Sequence, residues 1–203
     1  MRAVFLKLFI FSCLLCSYNT LSQEKELFDL IITDENATPD LLPKKMIITQ
    51  RLFWGEKGLL RKTGIVPLNI ENREKELQFR RKMLKAHQII GYTTLAAMVA
   101  QGFIGGKLYN GDNSLYKLHK NMSKVVNTTY FTGAALSLFS PPPLINKKTK
   151  GFSSIKAHKF LSNIHFSAMV ITNVVADSNK KAHKAAAYTA FASYATAVIV
   201  FKF

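Results

Sequence analysis

The sequence predicts an all-α membrane protein: an antiparallel four-helix transmembrane bundle preceded by a signal peptide and a short extracytoplasmic N-terminal region. Three observations carry that expectation. From Ala86 onward the 203-residue chain turns four times into a predominantly apolar stretch, each of about the 20 residues that a bilayer crossing needs. Each stretch opens on a histidine, in Ala86-His87-Gln88, Leu118-His119-Lys120, Ala157-His158-Lys159 and Ala182-His183-Lys184. Charge is divided to match: of twelve acidic residues only Asp112 and Asp177 lie beyond Lys85, and every basic residue there is a lysine at a helix end or in a loop.

Residues 1–22 have the layout of a signal peptide, with Arg2 and Lys7, an apolar run from Leu8 to Leu15, and the small residues Thr20 and Ser22 just before Gln23. An uncleaved anchor is the rival reading, and the shortness of the apolar run counts against it. Cys13 and Cys16 both fall inside this segment, so the chain beyond it has no thiol and their spacing is incidental.

Residues 23–85 form an extracytoplasmic arm and an interfacial helix region. From Gln23 to Pro43 the chain is acidic and turn-rich, with Asp34-Glu35-Asn36 and Pro39-Asp40, and reads as a mobile arm. Lys44 to Asn72 mixes cations with the apolar anchors Met46-Ile47-Ile48, Leu52-Phe53-Trp54 and Gly58-Leu59-Leu60. That mixture suits a segment lying on a membrane surface and suits equally a small cap packed on the bundle. Glu71 to Lys85 is a charged helical run, Glu74 and Glu76 preceding Arg80 and Arg81, that continues into the first span.

Residues 86–203 are the bundle. The first span, to about Gly106, carries Gly91, Thr94, Met98, Gly102 and Gly105 near the azimuth of His87. Gly91 leaves room there for a flat cofactor or for a closely packed helix. Asn110-Gly111-Asp112-Asn113 is a turn. The second span starts polar, which places His119 at the headgroup level, and its apolar run from Val125 to Phe139 is stopped by Ser140-Pro141-Pro142-Pro143. The third, about Ile155 to Ala176, has His165 on nearly the same face as His158 and about 10 Å deeper at the helical rise of ~1.5 Å per residue. A histidine at such depth is a functional residue by default. An alternative metal ligand, a hydrogen-bond partner, a proton-path element and a core histidine bonded to a neighbouring helix all remain open for it. Asp177-Ser178-Asn179 turns the chain into the last span, whose Ala186, Ala187 and Ala190 make a small-residue face around His183.

The formal net charge of +16 is largely interfacial lysine, suited to anionic headgroups, to the carboxylates of a cofactor or to an acidic partner. A nucleic-acid partner is excluded on distribution, because such proteins gather their cations on one soluble face. No His-Glu-x-x-His, Gly-x-Ser-x-Gly or Gly-rich phosphate loop supports a hydrolase or nucleotide enzyme.

Antiparallel helices alternate the surface at which each begins, so His87 and His158 share one end of the bundle and His119 and His183 the other. A neutral imidazole is a metal or haem ligand, and bundles hold cofactors between facing helices. Two bis-histidine sites, one above the other, would make an electron path across a membrane.

From about Lys85 to Phe203 this pattern resembles the four-helix core of the cytochrome b561 family of transmembrane haem proteins, on the strength of the four His-led spans quoted above. The resemblance implies two b-type haems, one between His87 and His158 and one between His119 and His183, with His165 as an alternative ligand. Lys120, Lys159 and Lys184, each next to one of these histidines, are then candidate partners for haem propionates. Family members often have six helices or a fused electron-accepting domain, whereas four spans are read here, and the family's ascorbate-binding loops are not recognisable. The implied function is transmembrane electron transfer, as an oxidoreductase or an electron-transfer subunit in a bacterial inner membrane. Its partners are the lipid bilayer, an electron donor and acceptor of unassigned identity, and a redox partner subunit. No Cys-x-x-Cys-His run supports covalent haem. The reading of a different class is a non-redox integral membrane scaffold or assembly subunit without a cofactor.

Two orientation signals conflict. An export signal puts the ends at His87 and His158 outside, while lysine and arginine are nearly balanced between the two sides, so the signal decides. The expected result of placing single cysteines at Asn113 and Thr149 in a background lacking Cys13 and Cys16 is labelling of 149 alone by an impermeant thiol reagent on intact cells. Labelling at 113 but not 149 overturns that orientation.

Overall fold

The computed structural model describes residues 41–144 and 153–200. The expected signal peptide with both cysteines, residues 23–40 of the arm, the lysines Lys147, Lys148 and Lys150 and the last three residues lie outside the described residues. Every regular element among the described residues is helical, and the protein is all-α. The elements are α1 (Ile48–Trp54), α2 (Leu59–Lys62), α3 (Ile70–Tyr109), a 3-10 turn (Asn113–Leu115), α4 (Tyr116–Leu138), α5 (Ser154–Val174) and α6 (Lys180–Val200).

Helix α3 has 40 residues, a length of about 60 Å at the α-helical rise. Its start is fixed by the Asn69 side chain, which accepts from the Asn72 backbone N–H at 2.8 Å. On the exposed side of its charged first third, Lys75 pairs with Glu71 at 2.6 Å, a spacing that supports a helix. The stretch that follows makes α3 the one described helix long and apolar enough to cross a membrane, and only 11% of its most apolar part is buried within the protein. Gly111, at φ 105°, supplies the left-handed residue that the α3 to α4 turn requires. Asn179 Oδ1 accepts from the Ala182 N–H at 2.9 Å at the start of α6, and Ser153 caps α5.

The long helices form two antiparallel hairpins, α3 with α4 and α5 with α6, packed side by side. Met98, Val126, Tyr130, Ala168, Met169 and Ala190 make the shared core. Polar groups are buried with them, Thr94 completely. Large apolar side chains instead cover the outside, including Phe103 at 73% exposure, Val174 at 74% and Ile199 at 75%.

The N-terminal elements cap the end of α4. Thr49 Oγ1 donates to the Leu138 carbonyl and the Trp54 indole N–H to the Phe139 carbonyl at 2.9 Å, satisfying acceptors that a helix C-terminus leaves open. Phe53 meets Phe139 edge to face at a ring separation of 5.4 Å. The cap still presents Ile48 and Ile65 outward, 74% and 70% exposed.

Beneath it lies Arg73, with no exposed surface. Its Nε donates to the Leu41 carbonyl at 2.8 Å, its Nη2 to the Pro142 carbonyl at 3.2 Å and its Nη1 to Glu76 at 2.5 Å. Arg61 reaches the other oxygen of the same carboxylate, so Glu76 turns back to these two arginines rather than on toward Arg80. Arg80 donates to the Ser140 hydroxyl at 3.1 Å and the Pro141 carbonyl at 2.6 Å. Burial pushes the Arg73 guanidinium below its usual range and Glu76 draws it back up. A guanidinium stays charged regardless, so neutralising Glu76 leaves two buried cations without their counter-ion. Glu76→Gln is therefore expected to destabilise the protein by about 3 kcal/mol. A fall in the thermal midpoint in detergent, with faster tryptic cleavage after Arg51 and Lys62, would register it; unchanged cleavage would show that the cap does not depend on this cluster.

Candidate functional site

All four helix-leading histidines lie in the interior seam between the hairpins, as two facing pairs. The rings of His87 on α3 and His158 on α5 are 6.4 Å apart, centroid to centroid, and stand at 85°. Those of His119 on α4 and His183 on α6 are 6.1 Å apart at 77°. Each pair bridges the two hairpins, whereas each ring is tethered within its own. His87 Nδ1 lies 2.8 Å from the Gly133 carbonyl on α4, His158 Nδ1 3.0 Å from the Ala197 carbonyl on α6, and His183 Nδ1 2.9 Å from the Thr172 carbonyl on α5. A carbonyl only accepts, so each of these three rings carries a proton on Nδ1.

The tethers follow one rule. Gln101, Gly133, Thr172 and Ala197 each stand 14 residues beyond the histidine of their own helix and meet the histidine of the antiparallel neighbour. At the α-helical rise, 14 residues separate the levels of the two pairs by about 21 Å. The hairpins match in sequence as well: Lys85-Ala86-His87 with Lys156-Ala157-His158, Ala97-Met98-Val99 with Ala168-Met169-Val170, Lys117 with Lys181, His119-Lys120 with His183-Lys184, and Tyr130 with Tyr194. The chain core is an internal repeat whose second copy is rotated onto the first about an axis along the bundle, each histidine pairing with its own counterpart. The shared Lys-x-His at all four helix starts is the sequence signal that could have revealed it.

Between the two levels lies an aromatic cluster. The Tyr130 hydroxyl is 2.6 Å from His165 Nδ1, the Tyr130 and Tyr194 rings are 5.6 Å apart, and His165 and Tyr194 5.0 Å. Of the roles open to His165, the structure shows the hydrogen bond to a neighbouring helix. Gly91 is met by a side chain: the Tyr194 hydroxyl donates to its carbonyl at 3.2 Å, and a Cβ there would stand 3.6 Å from that oxygen. The lysines remain peripheral. Lys184 Nζ lies over the Tyr109 ring at 3.8 Å, Lys120 near the Tyr116 ring at 5.9 Å, and Lys159 is exposed. No three His, Cys, Asp or Glu side chains gather as a metal site among the described residues.

No family model, curated protein or solved structure matches the chain.

Tyr130→Phe leaves His165 without its partner in an apolar surround, which costs about 1–3 kcal/mol for a buried polar group. In a double-mutant cycle with His165→Phe, thermal unfolding is expected to show a coupling of about 1 kcal/mol or more. Strict additivity would mean that the Tyr130 to His165 contact does not form.

Proposed function

We propose that this protein carries electrons across a membrane through two b-type haems, one held by His87 and His158 and the other by His119 and His183. The observation that carries the reading is the tether pattern. An axial imidazole on a metal is ordinarily held through Nδ1–H by a carbonyl, which fixes the ring and frees Nε2 to ligate. Three of the four histidines have that bond, and each is offered to a partner across the seam. The pair separations support it. With a metal–nitrogen bond of about 2 Å on each side and roughly one ångström more to each ring centre, two axial imidazoles place their centroids about 6 Å apart. The measured 6.4 and 6.1 Å agree. A haem iron with two axial histidines supplies one-electron chemistry, its potential set by the surroundings.

The residues then have separate tasks. Gly133 and Ala197 hold the first pair, and Thr172 holds His183. The His87 ring packs close to Gly133, where a Cβ would stand in ordinary contact at 3.4 Å from Ile90 and 3.9 Å from His87 Nδ1. Tyr130, Tyr194 and His165 fill the seam between the levels and keep water out of it.

A membrane setting is supported by the inversion of polarity. His87, His158, Thr94, Tyr130 and Tyr194 face one another inside, while phenylalanine, valine and isoleucine side chains face outward on α3, α4 and α5, with Ile199 on α6. In water such an outer surface is an interaction or aggregation surface; in lipid it needs no further cover. The spacing of about 21 Å between the histidine levels falls within a hydrocarbon core of about 30 Å and puts one pair toward each face. Helices α4 to α6 are less apolar than α3 and carry polar residues on both faces, His165 and Ser193 inside and Lys124, Asn163 and Ser167 outside.

Purified protein is expected to show a Soret band and a pyridine haemochrome ratio near two haems per chain. His87→Ala and His158→Ala should deplete the same spectroscopic component, and His119→Ala and His183→Ala the other. If His87→Ala and His183→Ala deplete the same component the pairing is wrong, and a colourless protein would leave the scaffold reading in its place.

A further inference from the structure

Arg61 carries a buried edge that nothing around it uses. Its Nη1 donates to the Val66 carbonyl at 2.7 Å and to Glu76 Oε1. Its Nε and Nη2 are buried without a hydrogen-bond partner, on a side chain only 6% exposed. These two nitrogens form one side of the planar guanidinium, where parallel N–H groups match the two oxygens of a carboxylate or a phosphate. Arg73, its neighbour across Glu76, has no such gap: Nε goes to Leu41, Nη1 to Glu76, and Nη2 to Pro142 and Pro143. Charge makes the same demand as geometry. Two guanidiniums share the single carboxylate of Glu76, which leaves a surplus positive charge out of water. A neutral carbonyl would supply acceptors alone, whereas an oxyanion supplies acceptors and counter-charge together.

Three sources of an oxyanion differ in reach. Headgroup phosphates lie too low. Glu76 precedes His87 by three turns of α3, about 16 Å further out at the helical rise. In the membrane setting proposed above, with the two histidine levels centred, that is roughly 27 Å from the midplane, beyond the ~22 Å at which headgroups end. A free ion is kept out by the closure of both nitrogens to solvent. The chain itself delivers a carboxylate to the spot. The Leu41 carbonyl is already held on Arg73 Nε at 2.8 Å. One peptide earlier comes Asp40, its Cα about 3.8 Å from that of Leu41. Asp40, itself outside the described residues, ends a stretch from Gln23 that holds six acidic residues against one lysine. The acidic stretch and the surplus cation are thus complementary in charge and adjacent along the chain.

We propose that this edge of Arg61 is a carboxylate-binding site and that Asp40 is its ligand, which moors the acidic N-terminal segment on the cap. The site needs no haem. Full-length variants are compared for thermal midpoint in detergent and for tryptic cleavage after Lys45, which follows Asp40 closely and is exposed. Asp40→Asn is expected to lower the midpoint and to speed cleavage about tenfold, the low end of what a hydrogen bond to a charged group contributes. Asp40→Glu, which keeps a carboxylate, should stay near the unmodified protein. Arg61→Lys keeps a cation on Glu76 but has no such edge, so adding Asp40→Asn to it is expected to change nothing further. Inorganic phosphate, and nanodiscs of phosphatidylglycerol in place of phosphatidylcholine, are expected to shift the unmodified protein and Arg61→Lys alike, because the edge is already filled. Three results overturn the proposal: Asp40→Asn behaving as Asp40→Glu does, an undiminished Asp40→Asn effect in the Arg61→Lys background, or stabilisation by phosphate or phosphatidylglycerol that Arg61→Lys abolishes. Should Arg61→Lys not fold, the contrast between Asp40→Asn and Asp40→Glu decides alone.

Discussion

Each helix-leading imidazole is held from inside its own hairpin, three of them by a backbone carbonyl and His119 by the Gln101 side chain, and that is why it faces the other one. A histidine on an isolated helix can swing through several rotamers, with either nitrogen outward. Bonding Nδ1 to a carbonyl of the antiparallel neighbour removes both freedoms at once. The requirement travels outward through the molecule. The two helices of a hairpin must keep an axial offset to within a fraction of a turn, the residue opposite each ring must be small or have its backbone accessible, and the turn between them must be tight. Gly133 and Ala197 meet the second condition, and Gly111 with Asn179 the third.

The axial offset has its own fixing at one end of α3 and α4. Arg73 binds the carbonyl of Pro142, and Arg80 the hydroxyl of Ser140 and the carbonyl of Pro141, on the segment where α4 has just ended. The proline run has no N–H groups to spend on neighbours and therefore exposes a row of carbonyls. The arginines read that row. Helices with small residues along their contact slide easily past one another, and this buried clamp converts a slippery contact into one with a definite register.

Much of this was legible in the sequence. Four His-led segments gave the helices nearly to their ends, because Asn110-Gly111, the triple proline and Asp177-Ser178-Asn179 are breaks that depend on local backbone chemistry alone. The pairing of His87 with His158 and of His119 with His183 followed from helix alternation, and the structure brings those rings together. Gln101 was not legible, because nothing local distinguishes a glutamine that meets a histidine of the next helix from one that faces lipid headgroups. Gly91 was read as room for a flat cofactor or for a closely packed helix, and which of them was not legible, because Tyr194 arrives from a helix more than a hundred residues away. Glu76 was read as preceding Arg80 and Arg81 in a charged helical run; it is buried and pairs with Arg61 and Arg73, since the segment that covers it folds back from the N-terminal side. In each of these failures the deciding partner is distant in sequence.

The two hairpins are copies set side by side with the same polarity, not one inverted against the other, so the fold has equivalent halves and unequal ends. Rotation about the long axis of the bundle exchanges His87 with His158 and Tyr130 with Tyr194, but no operation of the fold exchanges the His87 level with the His119 level. One end is roofed by Trp54 and locked by arginine on proline carbonyls; the other is closed by two short turns with Lys184 lying on Tyr109. A molecule of this kind has a built-in arrow. Whatever meets its two ends meets different surfaces, so that the asymmetry is already present in a single chain, without a second subunit to impose it.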